Sequence, residues 1–185
     1  NIAGEFSGFD ADFYLANYYP QDELGLPLLQ RKKIDMVGVA LNYVYESWLL
    51  KSEFAYKRDF QFLQTGDKKF DRFDSLLGFE YKGIADTTIS YDIANKHIDK
   101  KSKAFKQDSY TNAFRATSDF LNSTLHANYL VSLFGKKLDK GGFQRAWMKY
   151  DIADGVSTNF GIVDYIGGDA MFDVISDNDM IFMDV

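Results

Sequence analysis

The sequence predicts an all-β fold, an antiparallel up-and-down transmembrane β-barrel of about ten strands, and three observations carry that expectation. Apolar and polar residues alternate with a period of two through most of the chain, which is the period of a strand. The connections between alternating runs are short and long in turn. The composition is rich in aromatics and poor in proline, with Phe 17, Tyr 12 and Pro 2 in 185 residues. Bulky aromatic side chains favour a pleated surface over a helix. No stretch approaches ~20 consecutive apolar residues, so helical membrane spans are excluded. A mean hydropathy of -0.29 does not argue against membrane strands, because these place only every second residue in lipid.

Taken in order, Asp10 to Tyr19 reads as a strand of unassigned facing, and Pro20 to Lys33, with two prolines, reads as a long loop. Ile34 to Tyr45 and Trp48 to Lys57 form a hairpin across Glu46-Ser47, with Val37, Val39, Leu41, Tyr43 and Tyr45 facing the same way as Trp48, Leu50, Phe54 and Tyr56. After a loop from Arg58 to Lys69, Leu77, Phe79 and Tyr81 alternate with Glu80 and Lys82. A turn at Lys82-Gly83 leads into Ala85, Thr87, Ile89, Tyr91 and Ile93, which alternate with Asp86, Thr88, Ser90 and Asp92. Asp99 to Asp108 is the next long loop. Tyr110 to Leu121 and Thr124 to Phe134 pair across Asn122-Ser123, and Lys136 to Gly142 is a loop. Phe143 to Ala153 and Val156 to Tyr165 pair across Asp154-Gly155, both of which tolerate positive φ. Gly167 to Asp177 is a loop, and Asn178 to Val185 is a last strand. Residues 1–185 are therefore expected to be one β-barrel domain or a fragment of one.

The apolar face can point to a core or to lipid, and residue placement favours lipid. Tyr45, Trp48, Tyr81, Phe120 and Tyr150 lie near the short turns, as membrane-interface aromatics do, and Tyr56, Phe73, Phe114 and Tyr91 form a second group toward the long loops. The opposite face carries Lys51, Glu53, Lys57, Arg72, Asp74, Glu80, Asp86, Asp92, Arg115, Asp119, Arg145, Lys149 and Asp151. Sealed inside a small barrel, each unpaired charge would cost several kcal/mol, whereas a water-filled lumen removes that cost. These residues are the lumen-lining candidates. The rival is a soluble sandwich with the aromatic face as its core and the charges in bulk water.

Three segments, Asp35-Met-Val-Gly-Val-Ala-Leu-Asn-Tyr43, Leu76 to Ser90 with Asn95-Lys-His-Ile98, and Gly161-Ile-Val-Asp-Tyr-Ile-Gly-Gly-Asp169, resemble the C-terminal half of a proteobacterial outer-membrane family. That family is catalogued as a domain of unknown function and grouped with porin-like barrels. The resemblance covers Asp10 to Val185. It implies a barrel in the outer membrane of a Gram-negative bacterium and supplies no catalytic, metal or cofactor residues. Members of such families are longer than this chain, so the resemblance also implies the C-terminal part of a larger barrel. The terminal strand departs from the pattern in lacking a closing aromatic.

The functional expectation follows from the polar face. Rings of charge set ion preference, so the chain is expected to be an outer-membrane channel, porin-like, passing small polar or amphipathic solutes. The alternative is a structural or interaction barrel with a plugged lumen, whose outer loops bind a surface or periplasmic protein partner. The net charge of -6 offers nucleic acid no basic surface, and the lysines between Lys96 and Lys106 read as a solvated loop. No enzyme is expected: His97 and His126 are the two histidines, and neither accompanies a serine in a nucleophile motif. Asp169, Asp173, Asp177 and Asp179 lack the spacing of a calcium loop and read as an acidic surface segment, so no metal or cofactor is expected.

Overall fold

A computed structural model of the chain describes residues 2–6, 9–18, 34–60, 68–101, 106–169 and 171–185, and side chains for those from 34 onward except 171. Eleven strands form one sheet whose order follows the sequence, so each strand pairs with its chain neighbour. They are β1 (Ile2–Phe6), β2 (Phe9–Tyr18), β3 (Ile34–Tyr45), β4 (Trp48–Phe60), β5 (Phe70–Ile84) and β6 (Thr87–Ile98). Then come β7 (Asp108–Phe120), β8 (Leu125–Phe134), β9 (Gly142–Ala153), β10 (Val156–Ile166) and β11 (Met180–Asp184), with one short helix, α1 (Met171–Ile175), before the last strand. The fold is thus an all-β antiparallel up-and-down sheet, as the alternation predicts. β1 and α1 are additions to the predicted elements. The predicted loop from Pro20 to Lys33 lies outside the described residues, as do 61–67 and 102–105 of the next two long connections.

By compactness the chain divides into two units. The first comprises Asn1–Tyr43, Lys51–Leu77 and Ala94–Ser109. Its buried apolar side chains are Ile34, Phe70 and Ile98. The second comprises Val44–Leu50, Gly78–Ile93 and Tyr110–Val185, where Phe172 of α1 is the buried apolar side chain among the described residues. The Phe172 ring meets Phe134 with centroids 4.9 Å apart.

All four short turns lie in the second unit. Glu46, Asp86, Asn122 and Gly155 have positive φ there, a conformation that glycine and short polar residues adopt most readily. One turn corrects the sequence expectation. β5 continues through Lys82-Gly83 to Ile84, and the reversal falls at Ala85-Asp86. Asp86, expected on the polar face, is instead a turn residue with φ of 54° whose carbonyl accepts the Asp119 amide at 2.8 Å. A left-handed residue closing a three-residue loop adds a bulge, which keeps the facing of both strands. Phe79 therefore still meets Tyr91, with ring centroids 6.2 Å apart, and Gly78 still lies beneath the Asp92 carboxylate.

Candidate functional site: a charged sheet face

The register of β7 to β11 sorts residues into rows that cross five strands. Asp119 pairs with His126, His126 with Lys149, Lys149 with Asn159, and Asn159 with Asp184. The next row on the same face, about 6.7 Å along the strands, runs Thr117, Asn128, Trp147, Gly161 and Phe182. The third runs Arg115, Leu130, Arg145, Val163 and Met180. Rows of the opposite face lie between them: Ser118, Ala127, Met148, Phe160 and Met183, and then Ala116, Tyr129, Ala146, Ile162 and Ile181. Period-two alternation in the sequence has become one polar and one apolar surface.

Exposure on these surfaces runs opposite to that of a soluble protein. Leu50, Leu77 and Ile162 are 47%, 52% and 47% exposed, and Val37, Met148 and Phe160 are exposed with them. On the polar face the side chains of Lys57, Arg72, Asp74 and Glu80 are only 18%, 18%, 22% and 23% exposed. Soluble monomers rarely leave contiguous apolar surface open on this scale. Of the interface candidates, Tyr45, Trp48, Phe120 and Tyr150 are exposed and Tyr81 is half-buried. Trp48 stacks against Phe79 and Tyr81, at 5.6 and 4.5 Å between centroids.

In the first unit the polar face is knitted by ion pairs. Asp74 takes Lys57 at 2.9 Å and a two-pronged contact from Arg72, whose Nε and Nη2 each donate at 2.7 Å. A planar guanidinium matches a carboxylate in this way, and the match fixes both side chains. Lys51 is half-buried on the same face, and Glu53 is exposed. On the other face, Tyr56 donates its hydroxyl to Asp71 at 2.6 Å near the loop end of β5, while Phe54 stacks on Phe73 at 6.1 Å.

In the second unit the row nearest the short turns holds two bonded groups. His126 Nδ1 lies 2.6 Å from Asp119 Oδ1, and its Nε2 lies 3.3 Å from Asp151. Asp151 also takes Lys149 at 2.7 Å, and Asn159 donates to Asp184 at 2.6 Å. Glu80 is paired with Lys82 at 2.8 Å. Every carboxylate in this band is engaged with a donor.

The arginine row differs. Among the described residues neither Arg115 nor Arg145 has a carboxylate partner, and the buried Arg145 Nε has no hydrogen bond. The Arg145 guanidinium instead lies 4.6 Å from the Trp147 ring centroid and 4.6 Å from that of Phe182. Gly161 sits between those two residues in their row. A Cβ there would fall 2.5 Å from the Phe182 ring and 2.6 Å from the Trp147 Cβ, so glycine leaves room for the Phe182 ring beside Trp147.

The structure therefore brings together Asp119, Lys149 and Asp151 through His126, and Lys57, Arg72 and Asp74 through ion pairs. It leaves Arg115 and Arg145 without acids. Five side chains that take part lie outside the candidate set read from the sequence: His126, Trp147, Asn159, Phe182 and Asp184. The shared parity of Trp147 with Arg145 and Lys149 could have found the tryptophan. Phe182 could not be found that way, because its place depends on how β11 registers against β10. In the final loop the aspartates serve the backbone: Asp173 accepts the Gly168 amide and Asp179 the Tyr165 amide, each at 2.9 Å.

No protein-family model matches the chain, and no curated protein matches it. The resemblance noted above stands on its quoted residues.

Proposed function

We propose that the sheet closes into an outer-membrane β-barrel whose charged face lines a water-filled passage for small polar or amphipathic solutes. One observation carries this reading: large apolar side chains lie exposed on one face while Lys57, Arg72, Asp74 and Glu80 on the other are largely covered. Lipid accounts for the first and a hydrated lumen for the second. Eleven alternating strands give β1 and β11 the same direction, and purely antiparallel closure takes an even number. Closure then needs either a parallel seam or one further strand.

Two adjacent residues of β10 test the membrane assignment. Ile162→Arg places a charge on the apolar face, which costs about 2–4 kcal/mol near the membrane midplane. Val163→Arg places the same charge on the polar face and is expected to be tolerated. Folding yield into lipid vesicles, read by protease protection, should collapse for the first variant alone. Equal behaviour of the two removes the lipid assignment. Conduction is tested separately in planar bilayers, where the full chain should give steady open-pore current.

A second reading is favoured by α1. Phe134 belongs to the same alternation as His126, so Phe172 packs onto the polar face at its loop end. The backbone amide of Asp169 also bonds Lys140, at 3.3 Å, which ties this loop to the preceding one. A loop folded over the polar face suits a plugged barrel that binds a partner through its outer loops. A silent bilayer together with correct membrane insertion would favour it.

A further inference from the structure

We propose that Arg145, held against Trp147 and Phe182 and joined on its row by Arg115, is a subsite of the polar face for a small organic carboxylate with an apolar body. The inference rests on reading this face as a solute passage and names the class of solute.

Four observations converge. First, four acids of the described polar face are engaged elsewhere: Asp74 by Lys57 and Arg72, Glu80 by Lys82, Asp119 by His126, and Asp151 by Lys149. Among the described residues Arg115 and Arg145 have no carboxylate partner, in a chain that is net acidic. Second, the Arg145 Nε is buried and makes no hydrogen bond among the described residues. A buried guanidinium N–H without an acceptor loses the full desolvation penalty of that group, and a carboxylate in the plane of the guanidinium restores it.

Third, the two aromatic rings at 4.6 Å take up contact with the guanidinium. Aromatic rings satisfy charge but not the N–H donors, and they hold the planar group in one orientation with those donors free. Gly161 is what permits that arrangement. Fourth, the neighbours of Arg145 along its row are apolar: Leu130 on one side and Val163, then Met180, on the other. Chloride or phosphate gains nothing from such flanks, whereas a carboxylate carrying a hydrocarbon body buries it there. Arg115 lies two strands away, about 10 Å at ordinary strand spacing, and adds positive potential without closing the site.

The test uses the full chain in detergent with Trp48→Phe, which leaves Trp147 as the sole tryptophan, titrated with sodium hexanoate at constant ionic strength. The expected result is a saturable change in Trp147 emission that sodium chloride and sodium phosphate do not produce. Arg145→Gln should raise the half-saturating concentration by about tenfold or more, the loss of a charge-assisted hydrogen bond. Arg115→Gln should raise it by about threefold through lost potential alone. If Arg145→Gln fails to fold by circular dichroism, Arg115→Gln and Arg145→Lys carry the test, and lysine should bind hexanoate less tightly than arginine. An identical response to chloride, or titrations that none of the variants shifts, overturns the subsite. Because the readout needs no conduction, saturable binding with a silent bilayer overturns only the channel reading, and open-pore current without saturable binding overturns only the subsite.

Discussion

Five strands, β7 to β11, carry two polar bands that treat charge in opposite ways. Near the short turns, His126 bridges Asp119 and Asp151, Asp151 takes Lys149, and Asn159 bonds Asp184. Two rows further on, Arg115 and Arg145 have no acid to meet, and Arg145 leans on aromatic rings instead. Strand, register and face are shared, so the difference lies in side-chain chemistry alone. Neutralised pairs brace neighbouring strands and have little field left to act on a passing ion. Cations without counter-charges contribute little bracing and keep their field. Bracing and uncompensated charge thus fall in separate bands of one surface, which on the proposed passage reading are its wall and its selector.

The largest effect should come from reversing charge in the second band. Arg115→Glu combined with Arg145→Glu removes the uncompensated positive charge and adds two acids beside the hydrophobic row. Reversal potentials under a salt gradient should move strongly toward cation preference. Lys149→Glu, a single reversal in the first band, should move them by less than half as much, because His126 still bridges Asp119 and Asp151 there. If Lys149→Glu shifts selectivity as far as the arginine pair, the division between wall and selector fails.

Gly161→Val sharpens the comparison at its boundary, in the row between the bands. A Cβ at 161 meets Phe182, Trp147 and the Ala146 carbonyl together, at 2.5, 2.6 and 2.7 Å. The Phe182 ring must move away from Trp147, at a cost of about 1–3 kcal/mol for overpacking. Arg145 then loses its support while every ion pair of the first band remains. Thermal unfolding followed by circular dichroism should show the loss of stability, and the hexanoate titration should weaken in the same protein. Unchanged binding in a destabilised variant would mean that the rings do not position the guanidinium.

Much of this was legible in the sequence. Period-two alternation gave the faces, and they survive a turn displaced from Lys82-Gly83 to Ala85-Asp86, because the bulge after the turn restores parity. That Tyr45, Trp48, Phe120 and Tyr150 gather near the turns was readable from the sequence, and all four are exposed. Charged residues were readable as a set but not as pairs: Asp119 and Asp151 lie on strands separated by β8, and only the register of His126 shows that one imidazole spans them. Arg145 read as one more lumen charge. Its distinction depends on Phe182, and the position of Phe182 depends on how β11 aligns with β10, a choice that a short edge strand leaves open in the sequence. β1 was missed for a related reason, since five residues interrupted by Gly4 carry too little alternation to announce a strand.

The smallest effect is expected from His126→Asn, and its smallness is informative. The imidazole touches two carboxylates, Asp119 at 2.6 Å and Asp151 at 3.3 Å, so its loss might look severe. Its side chain is 28% exposed, however, and those of Asp119 and Asp151 are 46% and 38% exposed, so water can take over as hydrogen-bond donor. Asp151 also retains Lys149 at 2.7 Å. Asparagine keeps one donor directed at the adjacent strand. The unfolding midpoint should therefore fall slightly, by less than for Gly161→Val, and ion selectivity and hexanoate binding should stay as they were. A large change in selectivity from this single substitution would place His126 in the solute path and merge the two bands into one site.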